Sequence, residues 1–304
     1  MELKHRTLIA VPGCSLRGAL AFLCAGVLAT GCTEAPGVSA EGEIGSRNVT
    51  PLLDGSPKSL VVVGYSTSYA WPAMLQEMLD EHSGGERVYH VLNSVIGGSP
   101  VGRWIAPPES TDYQDTYGAM EHDFFGPDAR LRGAAPEPSV AILQQSLQRT
   151  PTPATRLGPV TSAMDDEGIE VGADALERLV TQLRNDGVER VYIGMHIYKE
   201  GFEPEVGNER FALDRLLDRG HESVLAGPDV WSLTIAEHPD AFTDDRLHPN
   251  ERGSKIMAEA WYRSLAGDDA RQHVIDAMHE RTYDVDKMMG DYLAWRRADG
   301  SSQQ

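Results

Sequence analysis

Three short segments of this 304-residue chain carry side chains able to act together on an electrophile. Asp245-Arg246-Leu247-His248-Pro249-Asn250 sets a carboxylate three residues before an imidazole. Imidazole takes up protons well near neutral pH. A carboxylate bending back onto its other ring nitrogen would orient the ring and offset the charge it gains. A serine hydroxyl needs such a base to become a nucleophile, and Gly64-Tyr65-Ser66-Thr67-Ser68 offers one between an apolar run and an amphipathic one. There the serine amide lies near a helix N-terminus, where developing negative charge is favoured. Asn93-Ser94-Val95-Ile96-Gly97-Gly98-Ser99 follows a second apolar run, and its glycines let backbone N–H groups approach a ligand closely. Each segment also has a plainer reading. Serines before a helix are common caps, the glycines suit an ordinary turn, and Asp244, Asp245 and His248 suit a surface turn or a metal site. A metal would need further ligands, and no second His/Asp cluster is evident in the sequence.

The elements around these segments alternate. Leu60–Gly64 is all apolar, as expected for a strand inside a parallel sheet. Trp71, Met74, Leu75, Met78 and Leu79 then recur at helical spacing, with Pro72 in the first turn. Further strands are predicted at 87–92, 139–143, 188–195 and within 223–233. One amphipathic helix carries Leu176, Leu179, Val180 and Leu183, and a closing helix carries Ile256, Met257, Ala260 and Trp261. Alternating strands and helices predict an α/β fold with a parallel sheet covered on both faces, and ligands of such sheets bind beyond the carboxyl ends of the strands. Residues 99–138 and 198–220 read as insertions at strand ends, and 268–295 as a helical extension.

Taken in order, the three segments resemble the blocks of the SGNH/GDSL hydrolase family. Ser66 falls at the serine of its first block, Gly98 at the glycine of its second, and Asp245 and His248 at the Asp-x-x-His of its last, including Pro249 and the downstream Gly253. The resemblance covers roughly 59–265. It implies a three-layer α/β/α sandwich with a five-stranded, flavodoxin-like parallel sheet, an acyl-enzyme mechanism without cofactor or metal, and ester hydrolysis, often of small acyl groups on carbohydrates. It implies Ser66, His248 and Asp245 as catalytic residues and the Ser66 and Gly98 amides as oxyanion donors. There are two departures. Tyr65 replaces an aspartate that braces the nucleophile loop. The third block, normally Gly-x-Asn-Asp, reads Gln144-Gln145-Ser146-Leu147-Gln148. Gln148 falls nearest the asparagine that donates to the oxyanion, with Gln145 its rival. Gly97–Trp104 is similar to a loop of sialate O-acetylesterase-like members, which suggests acetylated sugars as substrate, with Trp104 placed to stack on a sugar ring. Gln145 is a second candidate substrate contact, and His196, ending the fourth predicted strand near the same edge, is either a third or a structural histidine. Two alternatives stay open: a lipase or thioesterase of longer chains, and a non-catalytic glycan-binding protein on the same scaffold.

The formal net charge of −19 argues against nucleic-acid binding through phosphate contacts. All three cysteines, Cys14, Cys24 and Cys32, lie in the first 32 residues, so the remainder has no thiol chemistry and no disulfide. Lys4, Arg6 and Arg17 precede a short apolar run over 18–30 of signal-peptide length. Ala29-Thr30-Gly31-Cys32 resembles a bacterial lipobox. That implies export, cleavage after residue 31, lipid on Cys32 and a place on the cell envelope, with Thr33 favouring the outer membrane. Residues 32–58, rich in Gly, Pro, Ser and Glu, read as a flexible tether, leaving 59–304 as the hydrolase domain.

Overall fold

Residues 52–131, 133–145, 147, 166–201 and 203–298 are described by a computed structural model. All belong to one unit, Thr50–Gln304. The predicted signal segment, Cys32, most of the predicted tether and Gln148 lie outside the described residues.

Five strands form the predicted parallel sheet: β1 Lys58–Gly64, β2 Tyr89–Asn93, β3 Pro138–Gln144, β4 Arg190–Ile193 and β5 Val224–Ala226. Their order is β2-β1-β3-β4-β5, every pair parallel, which is the flavodoxin-like arrangement. Successive strand residues point to opposite faces, and β1 divides accordingly. Leu60 and Val62 enter one apolar core, Val61 and Val63 the other. The first core is covered by α1 Trp71–His82, α8 Glu251–Ala266 and α9 Gln272–Glu280. The second is covered by α2 Val101–Trp104, α4 Tyr117–Phe124, α5 Asp166–Asn185 and α6 Glu203–Asp218. The fold is therefore a three-layer α/β/α sandwich. The remaining helices are α3 Thr111–Asp115, α7 Val230–Ile235 and α10 Val285–Ala298.

Two stretches read as insertions have defined structure. Residues 99–138 hold α2, α3 and α4. The second is a correction: 198–220 contains α6, the crossover helix that a parallel β4–β5 pair requires. Its periodicity is blurred because Phe211 is exposed beside the buried Ala212, Leu213 and Leu216, and because Gly207 interrupts the pattern. The C-terminal extension is helical as expected. Arg296 of α10 is buried against Asp123 of α4, Nη1 to Oδ2 2.7 Å, with Arg130 Nε 2.9 Å from the other carboxylate oxygen.

Candidate active site

The chain leaves β1 at Gly64, where there is no room for a side chain: a Cβ would meet Ser68 Oγ at 2.9 Å and Val95 Cγ2 at 3.2 Å. Tyr65 stays extended, and Ser66–Ser68 form one turn of 3-10 helix closed by Ser68 N–H donating to Tyr65 O, 2.7 Å. The first amides of a helical turn have no acceptor within it. Ser66 thus sits at the carboxyl edge of the sheet with its N–H in such a position.

His248 comes from 182 positions further along the chain, on the loop before α8. Asn250 caps α8, accepting from Gly253 N–H at 3.2 Å, while its own amide donates to Asp240 O and Phe242 O at 2.8 and 2.9 Å. At Gly253 a side chain would strike the Ala241 carbonyl, so glycine is required for the loop to lie against the helix. The result brings His248 Nε2 to 2.9 Å from Ser66 Oγ, and Nδ1 to 2.6 Å from Asp245 Oδ2. The other carboxylate oxygen, Oδ1, accepts from the amides of Leu247 and His248 at 2.8 and 2.9 Å and from the Thr243 hydroxyl at 2.7 Å. Partial burial raises the Asp245 pKa, but the hydrogen bonds from His248, Thr243 and Leu247 outweigh it and hold the carboxyl well below its ordinary value. Bending the carboxylate back requires Arg246 in the left-handed region, φ 55°, at a cost of about 1 kcal/mol. Arg246 Nη1 lies 3.4 Å from Glu200 Oε2, joining this loop to the one after β4.

The loop after β2 continues the sheet's pairing, with Ser94 N–H donating to Val62 O at 3.0 Å and Ile96 N–H to Gly64 O at 3.1 Å. It then turns at Gly98, φ 65°, which is exposed beside the site. The Tyr69 hydroxyl lies against Gly97, where a Cβ would collide with it, and Tyr292 of α10 donates to Val95 O at 2.7 Å.

Three candidate substrate contacts face elsewhere. Trp104 is a correction: it is fully buried, and its indole N–H donates to Ser99 O at 3.1 Å. Gln145 is buried with it; the amide orientation that satisfies both ends donates to Ser99 O and accepts from Trp104 Nε1, each at 3.1 Å. His196 takes the structural role of its two readings and not the substrate contact. It is inaccessible, contacts Ile197 O through Nδ1 and stacks on Tyr65. Burial pushes its pKa down to about 3, leaving a neutral core imidazole. All three belong to apolar layers that short motif spacing does not report.

Sequence reading missed Thr243, which holds Asp245, and Glu209. Glu209 projects from α6 into the core, where its carboxyl accepts from Leu147 N–H at 3.3 Å and from His196 N–H, linking the ends of β3 and β4. Burial pushes its pKa up to about 8. Thr243 was visible as a hydroxyl two residues before the aspartate. Glu209 had no signal, being one acid among several on its helix. Among the described residues no three His, Cys, Asp or Glu side chains cluster closely enough to hold a metal ion, and no helix is long and apolar enough to cross a membrane.

No protein-family model matches the chain, and no curated protein matches it. Solved structures are similar at low identity. A carbohydrate esterase family 3 protein from Talaromyces cellulolyticus aligns with TM-score 0.46 and 11% identity, covering 74% of this chain and 100% of that one. The lipase Lip_vut3 from a goat rumen metagenome aligns with TM-score 0.44 and 11% identity, covering 70% of this chain and 100% of that one. A gut microbial diltiazem-metabolizing enzyme aligns with TM-score 0.46 and 10% identity over 69% of this chain, which spans 47% of that protein's length. The functional reading therefore has to come from the site's own geometry.

Proposed function

We propose that the chain is a serine esterase that works through an acyl-enzyme. The observation that carries this reading is the unbroken path from Ser66 Oγ to His248 Nε2, 2.9 Å, and from His248 Nδ1 to Asp245 Oδ2, 2.6 Å. Ser66 attacks the ester carbonyl while His248 takes its proton, and Asp245 orients the ring and balances its charge. The Ser66 and Gly98 amides are assigned as the donors to the developing oxyanion. His248 then protonates the leaving alcohol, and water repeats the sequence on the acyl-enzyme. No step calls for a cofactor.

The substrate is proposed to be a short-acyl ester, with O-acetylated carbohydrate the first class to examine, on the Gly97–Trp104 similarity. Burial of Trp104 removes a sugar-stacking surface from that argument, so the loop backbone is what it rests on. Export and lipid attachment at Cys32 place the enzyme on the cell envelope in the same proposal. A second reading, a non-catalytic glycan binder, gains from Gln145 being engaged with Ser99 and Trp104 rather than open to an oxyanion.

The chain lacking residues 1–32 is expected to hydrolyse p-nitrophenyl acetate and to be labelled by a fluorophosphonate at Ser66. A panel of acyl lengths and acetylated polysaccharides separates esterase from lipase. Labelling at an undiminished rate in Ser66→Ala would end the assignment, and an unlabelled wild-type protein that retains glycans would favour the binder.

A further inference from the structure

Two backbone amides leave an oxyanion short of a donor, and the amide of Gln145 is engaged elsewhere. Another hydroxyl stands at the right place. Ser66 and Tyr69 are separated by one 3-10 turn, the spacing at which side chains i and i+3 eclipse. The glycine loop confirms the juxtaposition. A Cβ built on Gly97 would collide with the Tyr69 hydroxyl oxygen and stand 3.8 Å from Ser66 Cβ. Phenol and serine therefore flank the same point, and glycine at 97 is what lets the phenol occupy it.

We propose that the Tyr69 hydroxyl donates a hydrogen bond to the oxyanion formed when Ser66 attacks an ester, a role that rests on the esterase reading above. The phenol is held for this task from three sides. Its hydroxyl oxygen lies directly against Gly97, its ring lies 5.8 Å from that of Tyr292, and the Tyr69 backbone carbonyl accepts from Asn93 Nδ2 at 3.4 Å. Tyr292 is itself tied to the same loop through Val95 O. Among the described residues no acceptor is found for the Tyr69 proton. Burial pushes the phenol above its ordinary value of 10.0, so it stays protonated and able to donate at neutral pH. A donor fixed before the reaction needs no reorganisation as charge develops, which is the condition for large electrostatic stabilisation.

The test uses the full chain with Tyr69→Phe, Gly97→Ala and Ser66→Ala. Tyr69→Phe is expected to lower kcat for p-nitrophenyl acetate about 100-fold, with KM within about threefold of wild type, and to slow fluorophosphonate labelling by a similar factor without a change in Tm. Gly97→Ala, which displaces the phenol from this point, is expected to lower kcat as well. A folded Tyr69→Phe with wild-type kcat, or a loss confined to KM, overturns the proposal. Should that variant fail to fold, a folded Gly97→Ala with wild-type kcat does so instead. Wild-type turnover lost in Ser66→Ala but kept in Tyr69→Phe rejects this role alone. Wild-type protein without Ser66-dependent turnover rejects the esterase reading and this role together.

Discussion

Tyr65 stacks on His196, ring centroids 5.0 Å apart and planes inclined by 22°. The Tyr65 hydroxyl and His196 Nε2 are both buried without a hydrogen-bond partner among the described residues. The residue before Ser66 is thus joined to the loop after β4 by ring packing, where the family resemblance suggested a carboxylate brace. Removing the hydroxyl alone removes an unsatisfied polar group. Tyr65→Phe is expected to leave unfolding free energy unchanged or raise it by about 1 kcal/mol, with turnover retained. Tyr65→Asp would set a charge against a neutral buried imidazole and is expected to destabilise by about 2 kcal/mol or more. Denaturant melts of the two variants check this, and a more stable Asp variant would contradict the packing account.

Asp245 is half exposed, unlike the buried aspartate of the serine-protease triad, yet it is held by four hydrogen-bond donors. Because its pKa is lowered, the carboxylate stays ionised at every pH above its ordinary value of 3.8. Asp245→Asn is expected to lower kcat by at least about 100-fold, up to the ~10⁴-fold seen when the triad carboxylate becomes an amide. Steady-state kinetics at pH 7 checks it; a loss under threefold would remove Asp245 from the mechanism.

Glu209 ties stability to pH. Its native pKa lies near 8 against an ordinary 4.5, so the folded chain binds the proton more tightly than the unfolded one. The stabilisation from holding that proton is full below pH 4.5 and is lost as pH rises through 8. Glu209→Gln keeps an oxygen for the Leu147 and His196 amides but does not titrate. The variant should match wild type within about 1 kcal/mol at pH 5 and be more stable at pH 8, read from urea unfolding at both. Parallel pH curves for the two proteins would refute it.

Arg296 and Asp123 are a buried pair joining α10 to α4. Arg296→Met leaves Asp123 its contacts with Arg130 at 2.9 Å and with the exposed His122 at 3.5 Å, both on the other carboxylate oxygen. The expected cost is about 3 kcal/mol, a fall in Tm of roughly 6–12 °C for a domain of this size. A thermal scan with Tm unchanged would show that the pair contributes nothing net.

Much of this was legible in the sequence, for reasons that differ by residue. Ser66, Asp245 and His248 stand at element boundaries where composition changes, and boundaries of a parallel sheet all fall on one edge, so their convergence followed from topology. Apolar runs marked β1 and β3 because both faces of those strands are buried. Trp104, Gln145 and His196 misled for the converse reason. They lie near the same edge in sequence but turn into the layers beneath it, and facing is set by packing partners such as Ser99 and Tyr65. The helix α6 was hidden because one apolar residue, Phe211, points outward.

Ser66 and His248 are 182 positions apart, so their contact is among the most non-local in the domain. Closing so long a loop is slow, and contact order of this kind delays folding. Hydrolysis of a chromogenic ester would therefore report completion of the whole sheet rather than formation of any one unit. A collapsed intermediate with its helices formed but α8 undocked would show native-like far-ultraviolet dichroism and no turnover, so the proposed esterase activity would serve as a probe of late folding.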